Sequence, residues 1–129
     1  MTWGPAALWA TVLFLLSSVP DVPGPGWLVS LPAADKVAHA VLYGVLGATL
    51  AWANHRGGRD SSRAADVLVV GLGALYGASD EWHQSFVPGR DTSAADFTAD
   101  VVGLAVGYVA SKHFLRGRGL RSSDPVSSA

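Results

Sequence analysis

Asp35, His39 and Tyr43 are spaced i, i+4, i+8, which places an acid, an imidazole and a phenol on one helix face. Tyr76, Asp80 and Gln84 repeat that spacing, with Glu81 and His83 beside them, and Asp96, Asp100, Gly103 and Gly107 form a third stripe. Lys36 and Arg90 are the bases nearest these acids in sequence. Two chemistries suit such a set. Arginine and lysine engage phosphate, with the acids orienting them or acting as acid and base, and His39, Asp80 and Glu81 are then the catalytic candidates. Imidazole with carboxylates suits zinc or manganese, and His39, Glu81, His83, Asp96 and Asp100 have the right types. No fixed ligand spacing such as HExxH is present, so no metal ligand is assigned. A Ser-His-Asp pattern with an oxyanion-type motif and a P-loop are both missing from the sequence. Neither a reaction nor a cofactor is specified, and whether the protein is an enzyme stays open. The plainer alternative is that these are caps and interfacial polar groups: Asp35 precedes an apolar run as an N-cap would, and Asp96 falls in a first turn, where a carboxylate is favoured. Capping gives no use to His39, Glu81, His83 and Gln84.

Bringing these residues together requires helices, and four apolar segments are present: Trp3 to Val19, Val37 to Ala53, Ala64 to Phe86 and Ala95 to Leu115. Pro20 and the Pro/Gly-rich stretch Asp21–Gly26 separate the first two. A bilayer span needs about 20 mainly apolar residues. The first two segments are at the short end of that range, and the last two reach it only with their polar outer turns. Half of the 129 residues are hydrophobic and 15% are charged, against about 25% charged in soluble domains. Polar loops and a polar tail dilute the mean hydropathy to +0.31. A soluble bundle would show one apolar stripe per helix, whereas Val67–Ala78 and Val101–Ala110 are apolar all round. A cleaved signal peptide over the first segment is disfavoured, because it lacks a basic n-region and a small-x-small site before Asp21. Gly73–Gly77 and Gly103–Gly107 are GxxxG pairs, read as packing within the chain in preference to dimerisation. The expected fold is all-α, an integral membrane four-helix up-down bundle over residues 1–117, followed by a disordered cytoplasmic tail over 118–129. There are no cysteines, which excludes disulfides and thiolate chemistry. No basic run with interleaved aromatics occurs in a soluble segment, so nucleic acid is not an expected partner.

The charges orient the bundle. Arg56, Arg59 and Arg63 lie between the second and third segments, and Lys112, Arg116, Arg118 and Arg121 follow the fourth, leaving Lys36 and Arg90 for the other side. The positive-inside rule then puts both termini and the 54–63 loop in the cytoplasm, with Asp21–Ala34 and Val87–Ala94 facing outward. The acids gather on the outward side: Asp21, Asp35, Asp80, Glu81, Asp91, Asp96 and Asp100, against Asp60, Asp66 and Asp124 within. Charges in hydrocarbon are costly, so these side chains are expected to face the bundle interior and pair with one another.

At these residues the chain resembles the VanZ-like family. The first block is Asp35-Lys36-x-x-His39-x-x-x-Tyr43, continuing to Gly47. The second is Asp80-Glu81-x-x-Gln84-x-Phe86-x-Pro88-Gly89-Arg90, followed by Asp96 and Asp100-x-x-Gly103. The resemblance covers residues 35–107 and departs at Ala40, often aromatic in relatives, and at Asp100, often Asn. It implies a polytopic bacterial membrane protein, and the founding member is linked to low-level teicoplanin resistance. The favoured expectation is a cell-envelope protein with an outward polar pocket lined by Asp35, Lys36, His39, Tyr43, Asp80, Glu81, Gln84, Arg90, Asp96 and Asp100. Its partners would be the bilayer and a lipid-linked envelope precursor, which it binds or alters so as to lower glycopeptide susceptibility. A small intramembrane hydrolase or transferase acting on an envelope lipid is the alternative, as is a non-catalytic module whose GxxxG faces dock another membrane protein. Oligomeric state is left open.

Overall fold

The computed structural model describes residues 2–20, 33–55 and 61–122. They form four helices: α1 Gly4–Ser17, α2 Ala34–His55, α3 Arg63–Gln84 and α4 Ala94–Ser122. Asp21, Arg56, Arg59, Asp60 and Asp124, which entered the topology argument, lie outside the described residues, as does 123–129 of the expected tail. Helix α4 itself runs on to Ser122, beyond the boundary at 117 drawn from sequence.

Local chemistry sets the helix ends. Pro5 sits in the first turn of α1, where a missing N–H costs nothing. Ser62 caps α3, its side-chain oxygen accepting from the Ala65 N–H at 3.1 Å, and Ser93 does the same for the Asp96 N–H at 3.1 Å. The α3–α4 link turns at Gly89, whose φ of 80° favours glycine. Asp35 does not cap α2. The helix begins at Ala34, which leaves Asp35 inside the first turn.

The bundle is held along a seam of small residues. Helices α2 and α4 run parallel and share the most extensive interface. A Cβ added at Gly103 would lie 2.7 Å from the carbonyl carbon of Ala40, and one at Gly107 would lie 2.7 Å from that of Gly44. Gly47 returns the contact, a Cβ there coming 2.8 Å from the Tyr108 nitrogen. Helix α3 crosses this pair antiparallel, with Gly73 under Leu104 and Gly77 under the Tyr43 ring. Both GxxxG faces are thus occupied inside the chain. Leu13, Tyr43, Leu46 and Leu104 make the middle of the core, and Ala51, Val69 and Tyr108 continue it. Helix α1 docks last, antiparallel to α2: the Trp9 indole N–H donates to Leu42 O at 2.9 Å, and the Tyr76 hydroxyl donates to Ala10 O at 2.6 Å.

Polar groups share the interior with the apolar core, and large apolar side chains lie on the surface. Asp80, Gln84, Asp96 and Asp100 are buried, while Leu8, Val41, Leu72, Leu75 and Val106 are exposed. Helices α2 and α4 are long and apolar enough to cross a membrane. The other two fall short of that measure, for different reasons. Helix α1 has 14 residues, about 21 Å at 1.5 Å per residue. Helix α3 has the length but carries Arg63, Asp66, Asp80 and Glu81 within its ends.

Candidate functional site

The N-termini of α2 and α4 and the C-terminus of α3 meet at one end of the bundle, here called the acidic pole. Three rungs cross it. At the rim, the Lys36 ammonium donates to Asp35 Oδ2 at 2.7 Å and to Asp96 Oδ1 at 3.1 Å, tying α2 to α4. One turn deeper, His39 donates from Nδ1 to Asp100 Oδ1 at 2.8 Å. Another turn in, the Tyr43 hydroxyl donates to Asp80 Oδ2 at 3.1 Å, and the Gln84 amide donates to the same oxygen at 3.3 Å. Lys36, His39 and Tyr43, at i, i+3 and i+7 on α2, therefore make one rung per turn, and Asp35 joins the first through Lys36. The dipoles at the α2 and α4 N-termini favour the acids placed in their first turns, Asp35 and Asp96.

These rungs leave acceptors over. Asp80 Oδ1, Glu81 Oε1 and Asp100 Oδ2 are buried and have no hydrogen-bond partner among the described residues. Asp100 is 1% exposed and Asp80 5%. Asp80 and Asp96 both stand within electrostatic range of Asp100, and Glu81 within range of Asp96, Asp100 and His39. One ligand atom from each of His39, Glu81 and Asp100 lies within 4.8 Å of the others. Buried polar atoms are normally paired, so these unpartnered carboxylate oxygens single out the pole as the candidate site.

Of the ten residues expected to line the site, Asp35, Lys36, His39, Tyr43, Asp80, Glu81, Gln84, Asp96 and Asp100 come together at this pole. Arg90 does not join them. Its guanidinium turns to α1, donating from Nη2 to Leu16 O at 2.8 Å and from Nε to Val19 O at 3.1 Å, a cation on the carbonyls of a helix C-terminus. His83 is drawn the same way, sharing a 3.1 Å hydrogen bond with Ser18 and stacking 4.8 Å from the Phe14 ring.

The opposite pole holds a second polar network that sequence reasoning missed. Asp66 Oδ1 accepts from Ser61 at 2.6 Å, from the Tyr108 hydroxyl at 2.7 Å and from Asn54 at 3.3 Å, and its Oδ2 accepts from Lys112. A cavity of about 340 Å³ borders it, lined in part by Ser61, Arg63, Tyr108 and His113. Asp66 and Lys112 had counted only as topology charges. The signal that would have found them is the antiparallel register of α3 on α4, in which Gly73 lies against Leu104 and Gly77 against Asp100.

A family model described as VanZ/LLP1 matches residues 4–116. The match takes in all four helices, including α1, which carries none of the motif residues. No curated protein and no solved structure matches the chain. The chain belongs to the VanZ/LLP1 family.

Proposed function

We propose that this VanZ/LLP1-family chain is a multi-pass protein of the bacterial cell membrane that engages the head group of a lipid-linked envelope component at its acidic pole and so lowers susceptibility to teicoplanin. In this reading all four helices cross the bilayer, the termini are cytoplasmic and the acidic pole faces outward. Three features support the topology: the large apolar side chains exposed around the helices with acids buried at one pole, the two helices with the length and apolarity of spans, and the positive-inside distribution of Arg63, Lys112, Arg116 and Arg118. A short α1 fits if its ends are shielded by α2 and α3, on which it docks.

The observation that carries the function is the convergence of Asp80, Asp96, Asp100 and His39 from three helices at one pole, with an acceptor of Asp80 and one of Asp100 unsatisfied. Intramembrane ionisable groups are expensive and mark binding or transfer sites. The test is teicoplanin sensitivity of a susceptible host expressing the chain. Wild type should protect, Asp80→Asn should remove most of the protection, and Arg90→Ala should keep most of it, since Arg90 sits on α1. No protection by wild type, or equal protection by Asp80→Asn, overturns the reading. A reporter fused in the 87–94 loop and found in the cytoplasm would overturn the topology.

One observation favours a second reading. His39 is held by Asp100 through Nδ1 at 2.8 Å, the arrangement by which a carboxylate fixes an imidazole for proton transfer at its other nitrogen. A hydrolase or transferase acting on an envelope lipid would use that dyad. Turnover of lipid phosphates by purified protein, abolished by His39→Gln, separates it from simple binding.

A further inference from the structure

We infer that His39, Glu81 and Asp100 bind a divalent transition-metal ion of the zinc or manganese kind, with Asp80 as the carboxylate behind it. The inference deepens the proposed function, and rests on it only for what the ion would do there; binding itself stands on the geometry of the pole.

The first argument is charge. Lys36 is engaged by Asp35 and Asp96 at the rim. Deeper in, Glu81 and Asp100 face one imidazole, with Asp80 within electrostatic range of Asp100, and Tyr43 and Gln84 both serve the same oxygen of Asp80. Buried charge is tolerated when paired or when it coordinates metal. A divalent cation here would balance the two carboxylates of Glu81 and Asp100, each of which holds a buried oxygen without a donor among the described residues.

The second is distance. His39 Nδ1 and Asp100 Oδ1 are 2.8 Å apart, near the roughly 3 Å that separates neighbouring ligands around an ion with bonds of about 2.1 Å. An ion can thus replace the proton that now joins them. The 4.8 Å limit of the three-residue set is slightly wider than a coordination shell, about 4.2 Å across at such bond lengths. His39 and Asp100 are already at ligand spacing, so Glu81 is the member that would have to shift to close it.

The third is chemistry and access. One imidazole among carboxylates prefers zinc or manganese to calcium, which takes oxygen ligands. His39 is only half-buried, with 18% of its side chain exposed, so an ion can enter past it. The three come from three helices, so a bound ion would clamp α2, α3 and α4 at one pole. It would also present a positive charge to a phosphate-bearing head group, a role that the α1-bound Arg90 is not placed to fill.

The test uses full-length protein in detergent micelles, stripped with EDTA and titrated with Zn²⁺ or Mn²⁺. Thermal unfolding, and for Mn²⁺ the loss of free-ion paramagnetic resonance signal, are the readouts. One ion per chain should bind and raise the melting temperature with concentration, the Nδ1 proton of His39 moving to Nε2. Glu81→Gln and Asp100→Asn should each weaken binding at least tenfold, and Arg90→Ala should leave it unchanged. If Asp100→Asn fails to fold, the shape-preserving Glu81→Gln decides. No ion-dependent shift, or an equal shift in Glu81→Gln, overturns the site. Teicoplanin protection without metal binding would sink this inference and spare the proposed function; metal binding without protection would do the reverse.

Discussion

Each end of the bundle buries carboxylates, but the two ends treat them differently. At the opposite pole one acid, Asp66, takes donors on both oxygens from Ser61, Asn54, Tyr108 and Lys112. At the acidic pole Asp80, Glu81 and Asp100 each keep an oxygen with no donor among the described residues, although Asp100 is the more deeply buried acid. A saturated acid is a fastening. An unsaturated one stores free energy that a ligand can release. Buried polarity alone does not locate a site in this protein; the balance of donors to acceptors does.

Both poles hang on the α2–α4 seam, so its failure should abolish the comparison altogether. Gly103→Leu drives a side chain into the Ala40 backbone, which cannot retreat as a flexible side chain would. The expected loss is about 3 kcal/mol or more, seen in micelles as a fall in melting temperature and as the loss of metal binding and of the Asp66 network together. Gly71 meets nothing within 4 Å, and Gly71→Ala should be neutral or gain about 0.5–1 kcal/mol of helix propensity. If Gly103→Leu folds normally, the two poles are not joined through this seam.

The difference between the poles sharpens at one isosteric change. Asp66→Asn strips the counter-charge from Lys112, and since both side chains are only partly buried the expected cost is about 2 kcal/mol. Asp100→Asn, measured in EDTA, relieves crowding among Asp80, Asp96 and Asp100 and should be neutral or stabilising by up to about 1 kcal/mol. Unfolding in a graded detergent mixture measures both. Equal destabilisation by the two would mean that the acidic pole is structural after all.

The sequence made the acidic pole legible because its members ride on helices. Spacing of i, i+4, i+8 fixes a face whatever the partner, and His39 and Tyr43 meet α4 and α3 from it, while Asp35 stays at the rim on Lys36. The seam was equally readable, since glycines at four-residue spacing leave little else for a helix to do. Arg90 was misplaced because it belongs to a turn, where no periodicity says which way a side chain goes. Its target is a pair of backbone carbonyls on α1, and backbone acceptors carry no residue signature. The same holds for Trp9 on Leu42 O and Tyr76 on Ala10 O, which fasten α1. Asp66 and Lys112 were visible but counted as topology, because pairing them needs the register of α3 against α4.

The smallest expected effect concerns that misplaced arginine. Arg90 and His83 both reach α1, through Leu16 O, Val19 O and Ser18, and neither touches the three rungs of the acidic pole. Arg90→Ala removes two charge-assisted hydrogen bonds from a partly exposed helix end and should cost below about 1 kcal/mol. The loss should be confined to α1: amide exchange should rise there, with α2 and α4 unchanged. Arg90→Lys keeps the charge but not the two-pronged reach, and should fall between. If Arg90→Ala instead alters ion binding at His39 without loosening α1, the arginine acts on the acidic pole, and the separation drawn between site and fastening fails at that residue.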